Sequence, residues 1–589
     1  MMAQYPAYSA PKRVIRNRSE SVVRVAVITD RDSTTCTFED VPSLVLGPLL
    51  RHVTTTSATV WVETSDRCRV SVLGTSADTF TIEGHHFALV IIEQLEPSTR
   101  HEYDVRLDDV IVWPEPASPF PAPVIRTLGD DRRRILFGSC RATAPHEPPY
   151  SLELDHDSRA KGVDALRAHG LRMLRSPIEE WPDLMVFLGD QIYADDASPK
   201  TKRRIRRRRS ADQPPKKIVA GFEEYTWLYR EAWTPDVERW VLSVVPSTMV
   251  FDDHDMIDDW NISDRWVSDI RQEPWWQNHI VGGLMSYWIY QHLGNLSPER
   301  IREEGMLERF VDANDASAEL RLWAMESERF TPVRGGYYFS FHREIGDVRL
   351  IVIDSRNGRV LDPDARQMVD DDEWAWISAR ASEPCRHLLI ASSLPMLVPG
   401  GLHDLQRWSE ALCSGRWGRS AGRVGERIRR GLDLEDWAAF DRSFRRLCDL
   451  LERIGTDHGD QMAPDTITLL SGDIHFAYVA DASFGDSATV RSRIRQIVSS
   501  PLRNALSKRE RRAIRFSLGR GGRSLGRFLG RRVGRRQSTL AWEISHGPFF
   551  ANNVGMITID TTSAHLLIER SRPDDDGAPI LEAVVDTEL

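Results

Sequence analysis

At 589 residues, 41% hydrophobic and 28% charged, the chain has the composition of a globular protein long enough for two or more domains. That balance excludes a largely disordered chain, and no apolar run approaches the roughly 18 residues of a membrane-spanning helix. The formal charge of −10 conceals two intensely basic segments in an otherwise acidic chain, so the average says little about partners.

Residues 1–43 read as a loosely packed arm. Basic residues there are not followed by an apolar stretch, which argues against an export signal. The six cysteines (Cys36, Cys68, Cys140, Cys385, Cys413, Cys448) show no framework spacing and fit free thiols in a reducing compartment. The expected location is the cytoplasm, or the exterior if an export signal has been removed. From Leu44 to about residue 128, short alternating runs such as Ala58-Thr-Val60-Trp-Val62 are separated by turn residues and predict a β-sandwich. Val112 to Arg134 is rich in proline and then charged, and reads as a linker.

A second region begins with the apolar run ending in Phe137-Gly-Ser-Cys140-Arg141. Lys161 to Leu174 has helical spacing. The run Leu184 to Leu188 then reads as a buried strand, followed by Gly189, Asp190 and Tyr193. Chemistry in α/β sheets gathers past the carboxyl ends of strands. A carboxylate there can bridge two metal ions, and a phenolate suits a trivalent one. Asp190 capping a turn, Tyr193 packing and Cys140 acting as a small buried hydrophobe are the competing structural readings. The basic stretch at about 200–217 (KTKRRIRRRRSADQPPKK) reads as a solvated surface insertion, or as a polyanion attractor beside the metals.

Phe222 to Val241 predicts two short helices. Pro246 to Phe251 is the next strand and delivers Asp252-Asp253-His254-Asp255. Asp264 to about Phe330 predicts an inserted helical layer whose aromatics, Trp275, Trp276, Tyr287, Trp288 and Tyr290, form core or a substrate wall. Gly335–His342 and Arg349–Ile353 read as strands, the second ending in Asp354-Ser-Arg356-Asn. A strand at His387–Ser393 and a helix from Leu434 to Ile454 precede Thr466 to Leu470, which leads into Ser471-Gly-Asp473-Ile-His475. Lys508 to Arg536 interleaves basic residues with Leu, Phe and Gly. It reads as a mobile surface insertion, or as a membrane-surface or nucleic-acid element, and its glycines weaken a helix. His546 is a further site candidate. Met556–Asp560 and His565–Glu569 are expected to close the domain.

Four strand-like runs thus end in residues able to ligate metal. The order FGSC, GDQIY, DDHD, SGDIH resembles the PhoD-like (alkaline phosphatase D) branch of the calcineurin-like metallophosphatases, over about 430 residues. GDxxY is also similar to the iron-binding motif of purple acid phosphatases. The resemblance implies an α/β calcineurin-like metallophosphatase fold, two mixed sheets flanked by helices, at 132–575. The basic insertions at about 200–217 and 508–536 fall inside it, and a fibronectin-III-like β-sandwich at 44–128 precedes it. In that sandwich the segment Leu95 to Tyr103 places His101 where a corner tyrosine is expected.

The site follows residue by residue. Cys140, Asp190, Tyr193 and His475 would hold a first metal, Fe3+. Asp190 would bridge to a second, Ca2+, Mn2+ or Mg2+, held by Asp253 and Asp473. His254 would protonate the leaving group, and Arg356 would hold phosphate oxygens or pair with a carboxylate. Other calcineurin-like enzymes have Asp-x-His where this chain has Cys140, and His where it has Asp473. Asp253 stands at the superfamily's Asn, with Asp258, Asp259 and Asn261 following. The implied activity is hydrolysis of phosphate mono- or diesters by a metal-bound hydroxide. The alternatives are a phospholipase D-like phosphodiesterase acting on lipid head groups, and a degenerate site in a protein that binds anionic polymers through its basic segments.

Overall fold

The motif strands alternate. In Arg133–Gly138, Ile135 and Phe137 enter one core while Leu136 enters another, and Leu184–Phe187 divides its residues the same way. A period of two sends successive side chains to opposite faces, so both faces of this sheet need a cover. The computed structural model describes residues 23–26, 38–129, 132–210, 212–330, 339–459, 461–485, 489–533, 539–560 and 563–589, and shows what provides it.

Six strands form the first sheet, in the order Ser247–Met249, Leu184–Phe187, Arg133–Gly138, Asn553–Ile559, Ala564–Pro573 and Pro579–Glu588. The first three run parallel. Seven strands form the second, in the order Phe341–Ile345, Val348–Ile353, His387–Ser392, Thr466–Ser471, Arg493–Val498, Ala477–Phe484 and Leu540–Phe549. The second to fifth of these run parallel. The two sheets share a core that includes Ile135, Phe137, Val186, Leu350, Leu389 and Leu470. Helices Ala165–Met173, Phe222–Trp233 and Asp236–Val244 cover the outer face of the first sheet, and Asp371–Ala381 and Asp441–Ile454 that of the second. This is the expected α/β architecture of two mixed sheets flanked by helices, and the motifs sit at carboxyl ends of its parallel strands. The sheet continues to Pro579–Glu588, past the expected end at 575, because Ala564–Pro573 pairs with that last strand along its whole length.

The N-terminal region is β-rich. Leu44–Val53, Ala58–Thr64, His85–Ile92 and Phe80–Ile82 form one sheet, and Val110–Trp113, Val105–Leu107, Arg69–Val72 and Thr75–Asp78 another, around a common core. The proline-rich linker expected from Val112 carries a strand, Val124–Arg126, paired with Arg100–Glu102. Tyr103 fastens the region by donating its hydroxyl to Ser243 O at 2.6 Å, and buried Arg51 donates to Gln291 O at 2.6 Å and Asn295 Oδ1 at 3.0 Å. The arm expected over 1–43 lies largely outside the described residues, as do parts of the strand expected at Gly335–His342. Among the described residues no helix is long and apolar enough to cross a membrane.

Both basic segments lie at the surface as helices, which corrects the weakened helix expected at 508–536. Residues Pro199–Arg208 form a helix capped by Ser198, with Ile205 buried. Part of its charge meets the facing helix: Arg209 reaches Glu224 at 2.9 Å, Arg208 reaches Glu223 at 3.7 Å, and Arg204 stacks 3.9 Å from the Trp227 ring centroid. Like charge is therefore no bar to order when carboxylates and a ring stand opposite. Residues Lys508–Leu518 and Arg520–Val533 form a helical hairpin. The glycines that weaken it in isolation are its contact surface, since a Cβ at Gly526 would overlap the backbone of Gly401 on the helix Gly400–Cys413. Trp276, Tyr287, Trp288 and Tyr290 are buried core and build no substrate wall.

Gly526→Val should push this hairpin off its neighbour at a cost of about 1–3 kcal/mol. Hydrogen exchange should show lost protection at 520–533 with the sheets unaffected; native protection throughout would contradict the packing.

Candidate metal centre

The strand ends bend sharply into the site. Cys140, Asp190, Asp473 and His475 have φ of 56°, 44°, 64° and 56°, in the left-handed region. Each such residue costs on the order of 1 kcal/mol, so four at one place require support from the surrounding fold. Gly189, at φ 123°, is required for a second reason, because a Cβ there would overlap the carboxylate of Asp252.

Cys140, Asp190 and His475 bring ligand atoms within 4.8 Å of one another. Tyr193 joins them through Asn504, whose Nδ2 donates to the Tyr193 hydroxyl at 3.2 Å and lies 3.5 Å from His475 Nε2. Asp190 is fully buried, and neither of its carboxylate oxygens has a hydrogen-bond partner. Buried carboxylates are nearly always satisfied, so this one points to a cation. Burial and the nearby Asp252 charge push its carboxyl well up. Burial and the Asp190 charge likewise push up the Cys140 thiol and the Tyr193 phenol, while burial pulls His475 down to about 3 and keeps its imidazole neutral. A metal reverses the first three effects and accepts the neutral imidazole as it stands.

Asp190 also belongs to a second cluster with Asp252, Asp253 and Asp473, which places it where a bridging ligand would stand. Beneath lies Arg356, fully buried. Its Nε donates to Asp252 Oδ1 at 2.7 Å, its Nη2 to Asp253 Oδ1 at 3.0 Å and Asp473 Oδ1 at 3.4 Å, and its Nη1 to Glu435. Asp354 fixes the approach by accepting from the backbone nitrogens of Arg356 and Asn357. The structure therefore places Arg356 among carboxylates and away from solvent, not free to clamp a phosphate. One oxygen of Asp252, Oδ2, remains without a partner.

His254 stands at the exposed side of the same site. Its Nδ1 meets Asp195 Oδ1 at 2.9 Å, and its ring packs 4.7 Å from that of Tyr193. Burial alone would lower its pKa, but the charges of Asp195 and Asp190 raise it well above the ordinary value. Asp195 is held by the backbone nitrogen of Asp258 at 2.8 Å. His546 lies on the strand Leu540–Phe549 against Ser545 and belongs to neither cluster.

Sequence reasoning brought Cys140, Asp190, Tyr193, Asp253, Asp473, His475 and His254 to one place, and the structure unites them. It missed Asp195, Asp252, Glu435 and Asn504 as partners. The doublets Asp195-Asp196 and Asp252-Asp253 were visible signals, as was the segment Ile497 to Asn504, which resembles the same branch; Glu435 had none.

Residues 166–290 match the family model of the PhoD-like phosphatases. The chain thus carries a segment similar to the PhoD-like phosphatases. Residues 41–125 match a domain of unknown function, DUF7800. A solved structure titled "Structure of PhoD" superposes with a TM-score of 0.55 at 11% identity, covering 94% of each chain. GAP50, described as the anchor in the inner membrane complex of Plasmodium, superposes at 0.30 with 10% identity over 78% of this chain and 89% of its own. No curated protein matches the chain. The PhoD-like match and the site agree, since the donor set of thiol, phenol, imidazole and carboxylates, with an orphaned buried Asp190, fits metal ions.

Arg356→Met should destabilise the metal-free protein by about 3–5 kcal/mol, because the carboxylates it joins stay buried. Denaturant unfolding with and without divalent metal should show a larger metal-induced gain in the variant than in the wild type. An equal gain would contradict the placement of Arg356.

Proposed function

We propose that this chain is a metal-dependent phosphoesterase whose two adjacent clusters hold two ions. One observation carries the reading. Asp190 is buried, unpartnered and common to both clusters. Cys140, Asp190, Tyr193 and His475 form a set suited to Fe3+, because thiolate, phenolate and carboxylate are anionic donors. Asp190, Asp252, Asp253 and Asp473 offer oxygen only, which suits Ca2+, Mn2+ or Mg2+. Bound ions would supply Lewis acidity toward a phosphoryl oxygen and lower the pKa of water.

The chain's own residues do the rest. Asp195 accepts from Nδ1 of His254, which orients the ring and leaves Nε2 to donate a proton to a departing alkoxide. Arg356 holds Asp252, Asp253 and Asp473 in register and keeps the carboxylates together. Asn504 orients the Tyr193 hydroxyl. The substrate is a phosphate ester, mono or di. Nothing in the site favours a lipid head group, and the complete donor set argues against a degenerate protein.

Asp190→Asn and Asp473→Asn should each lower turnover of a chromogenic phosphodiester by about three orders of magnitude or more. The metal-free Asp190→Asn protein should unfold no earlier than the metal-free wild type, because it removes a buried carboxyl that has no hydrogen-bond partner and is costly to ionise. Metal analysis and a visible spectrum should show bound iron with a tyrosinate or thiolate charge-transfer band, lost in Tyr193→Phe or Cys140→Ala. Wild-type turnover in both Asp variants would overturn the reading. Turnover with another metal and no iron would overturn only the iron assignment.

Asp195→Asn gives a separate check. A general acid works only while protonated, so activity falls as pH rises through its pKa. Asp195 raises that pKa, so its loss should move the alkaline limb of the kcat profile to lower pH. An unmoved limb would remove His254 from the role.

A further inference from the structure

Away from the metal site, one cavity is dominated by a single side-chain type. It has a volume of about 860 Å³ and lies among the helices Gly400–Cys413, Arg419–Gly431 and Asp441–Ile454. Nine arginines and five carboxylates line it, and none of these belongs to either metal cluster.

Two of the arginines are buried with little carboxylate contact. Arg366, 7% exposed, donates from Nη2 to Ile262 O at 2.8 Å and stacks 4.0 Å from the Phe440 ring centroid. Among the described residues no carboxylate comes within ion-pair distance of it, and Glu410 acts on it from further off. Arg429, 5% exposed, meets Glu426 at 3.4 Å, and its Nε has no hydrogen-bond partner. At the rim, Arg265, Arg419 and Arg423 are exposed and form no ion pair among the described residues. A guanidinium buried against backbone carbonyls and a ring is costly unless an anion completes it. An unpartnered buried carboxylate calls for a cation, and an under-partnered buried guanidinium calls for an anion.

The size and chemistry narrow the anion. The volume is that of a small-molecule site. Guanidinium forks match phosphate oxygens in pairs. None of the described lining residues is aromatic, so a nucleobase has no ring to stack on. We propose that this cavity binds a compact small molecule carrying several phosphate groups, with Arg366 and Arg429 at its floor and Arg265, Arg419 and Arg423 at its mouth. The metal centre is one route by which phosphate compounds engage the chain; this cavity is a second and separate one.

The probe is sodium tripolyphosphate, titrated calorimetrically into the full chain and into its Asp190→Asn variant. Saturable one-to-one binding is expected in both, because the cavity does not use Asp190. Arg419→Glu combined with Arg423→Glu should weaken it at least about tenfold, while turnover of the chromogenic diester by the otherwise wild-type chain stays unchanged. Arg366→Met should abolish it; should that variant fail to fold, the rim variants carry the test. Binding that is present in the wild type but lost in Asp190→Asn would assign the anion to the metal centre and overturn the proposal, leaving the phosphoesterase reading intact. Absent binding, or binding indifferent to the rim reversals, would overturn it as well.

Discussion

Five carboxylates, from Asp190, Asp252, Asp253, Asp473 and Glu435, meet where little water can reach them, and the rest of the site depends on how that charge is balanced. Part of the balance is built in. Arg356 bonds to four of the five, and Arg359 reaches the other oxygen of Glu435 at 2.7 Å. The guanidinium fork holds several oxygens at fixed angles, which a lysine could not do. Asp190 lies beyond its reach, and both of its carboxylate oxygens remain without a hydrogen-bond partner. The crowding thus both requires Arg356 and creates the vacancy of charge that defines the site.

Two sheets make this crowding geometrically possible. Cys140, Asp190 and Asp252-Asp253 follow parallel strands of one sheet, while Arg356, Asp473 and His475 follow parallel strands of the other. The shared apolar core fixes the sheets against each other, and contacts such as Asp473 N to Ser139 Oγ at 3.1 Å join the converging strand ends. Left-handed backbone at four of the positions turns the side chains inward. Rigid packing behind the site sustains that strain. The N-terminal β-region contributes by anchoring, through Tyr103 and Arg51, the helices that back the first sheet.

Beyond Arg356, arginine is used in three different ways among the described residues. On Pro199–Arg208 it pairs with carboxylates across a helix interface. In Lys508–Val533 it coats the outer face of a hairpin whose inner face is glycine. Around Arg366 it is buried in excess of its partners. The same residue type therefore carries three meanings, and neighbours distant in sequence decide among them.

Apolar runs ending in Asp, Cys, Tyr and His were enough to indicate buried strands, their polarity and a metal-ligating set. That is because strand period and strand-end chemistry are local properties of the chain. Composition and turn spacing were enough to indicate the β-rich region ahead of it. What the chain order cannot express is which distant side chain stands opposite another. Arg356 under the carboxylates, Asn504 beside Tyr193 and Asp195 behind His254 are long-range pairings set by how the two sheets meet. The helical order of the basic segments was hidden for the same reason. A run of like charge or a glycine-rich helix is unstable alone, and only the tertiary structure supplies the glutamates, the ring and the facing Gly401 backbone that hold them in place.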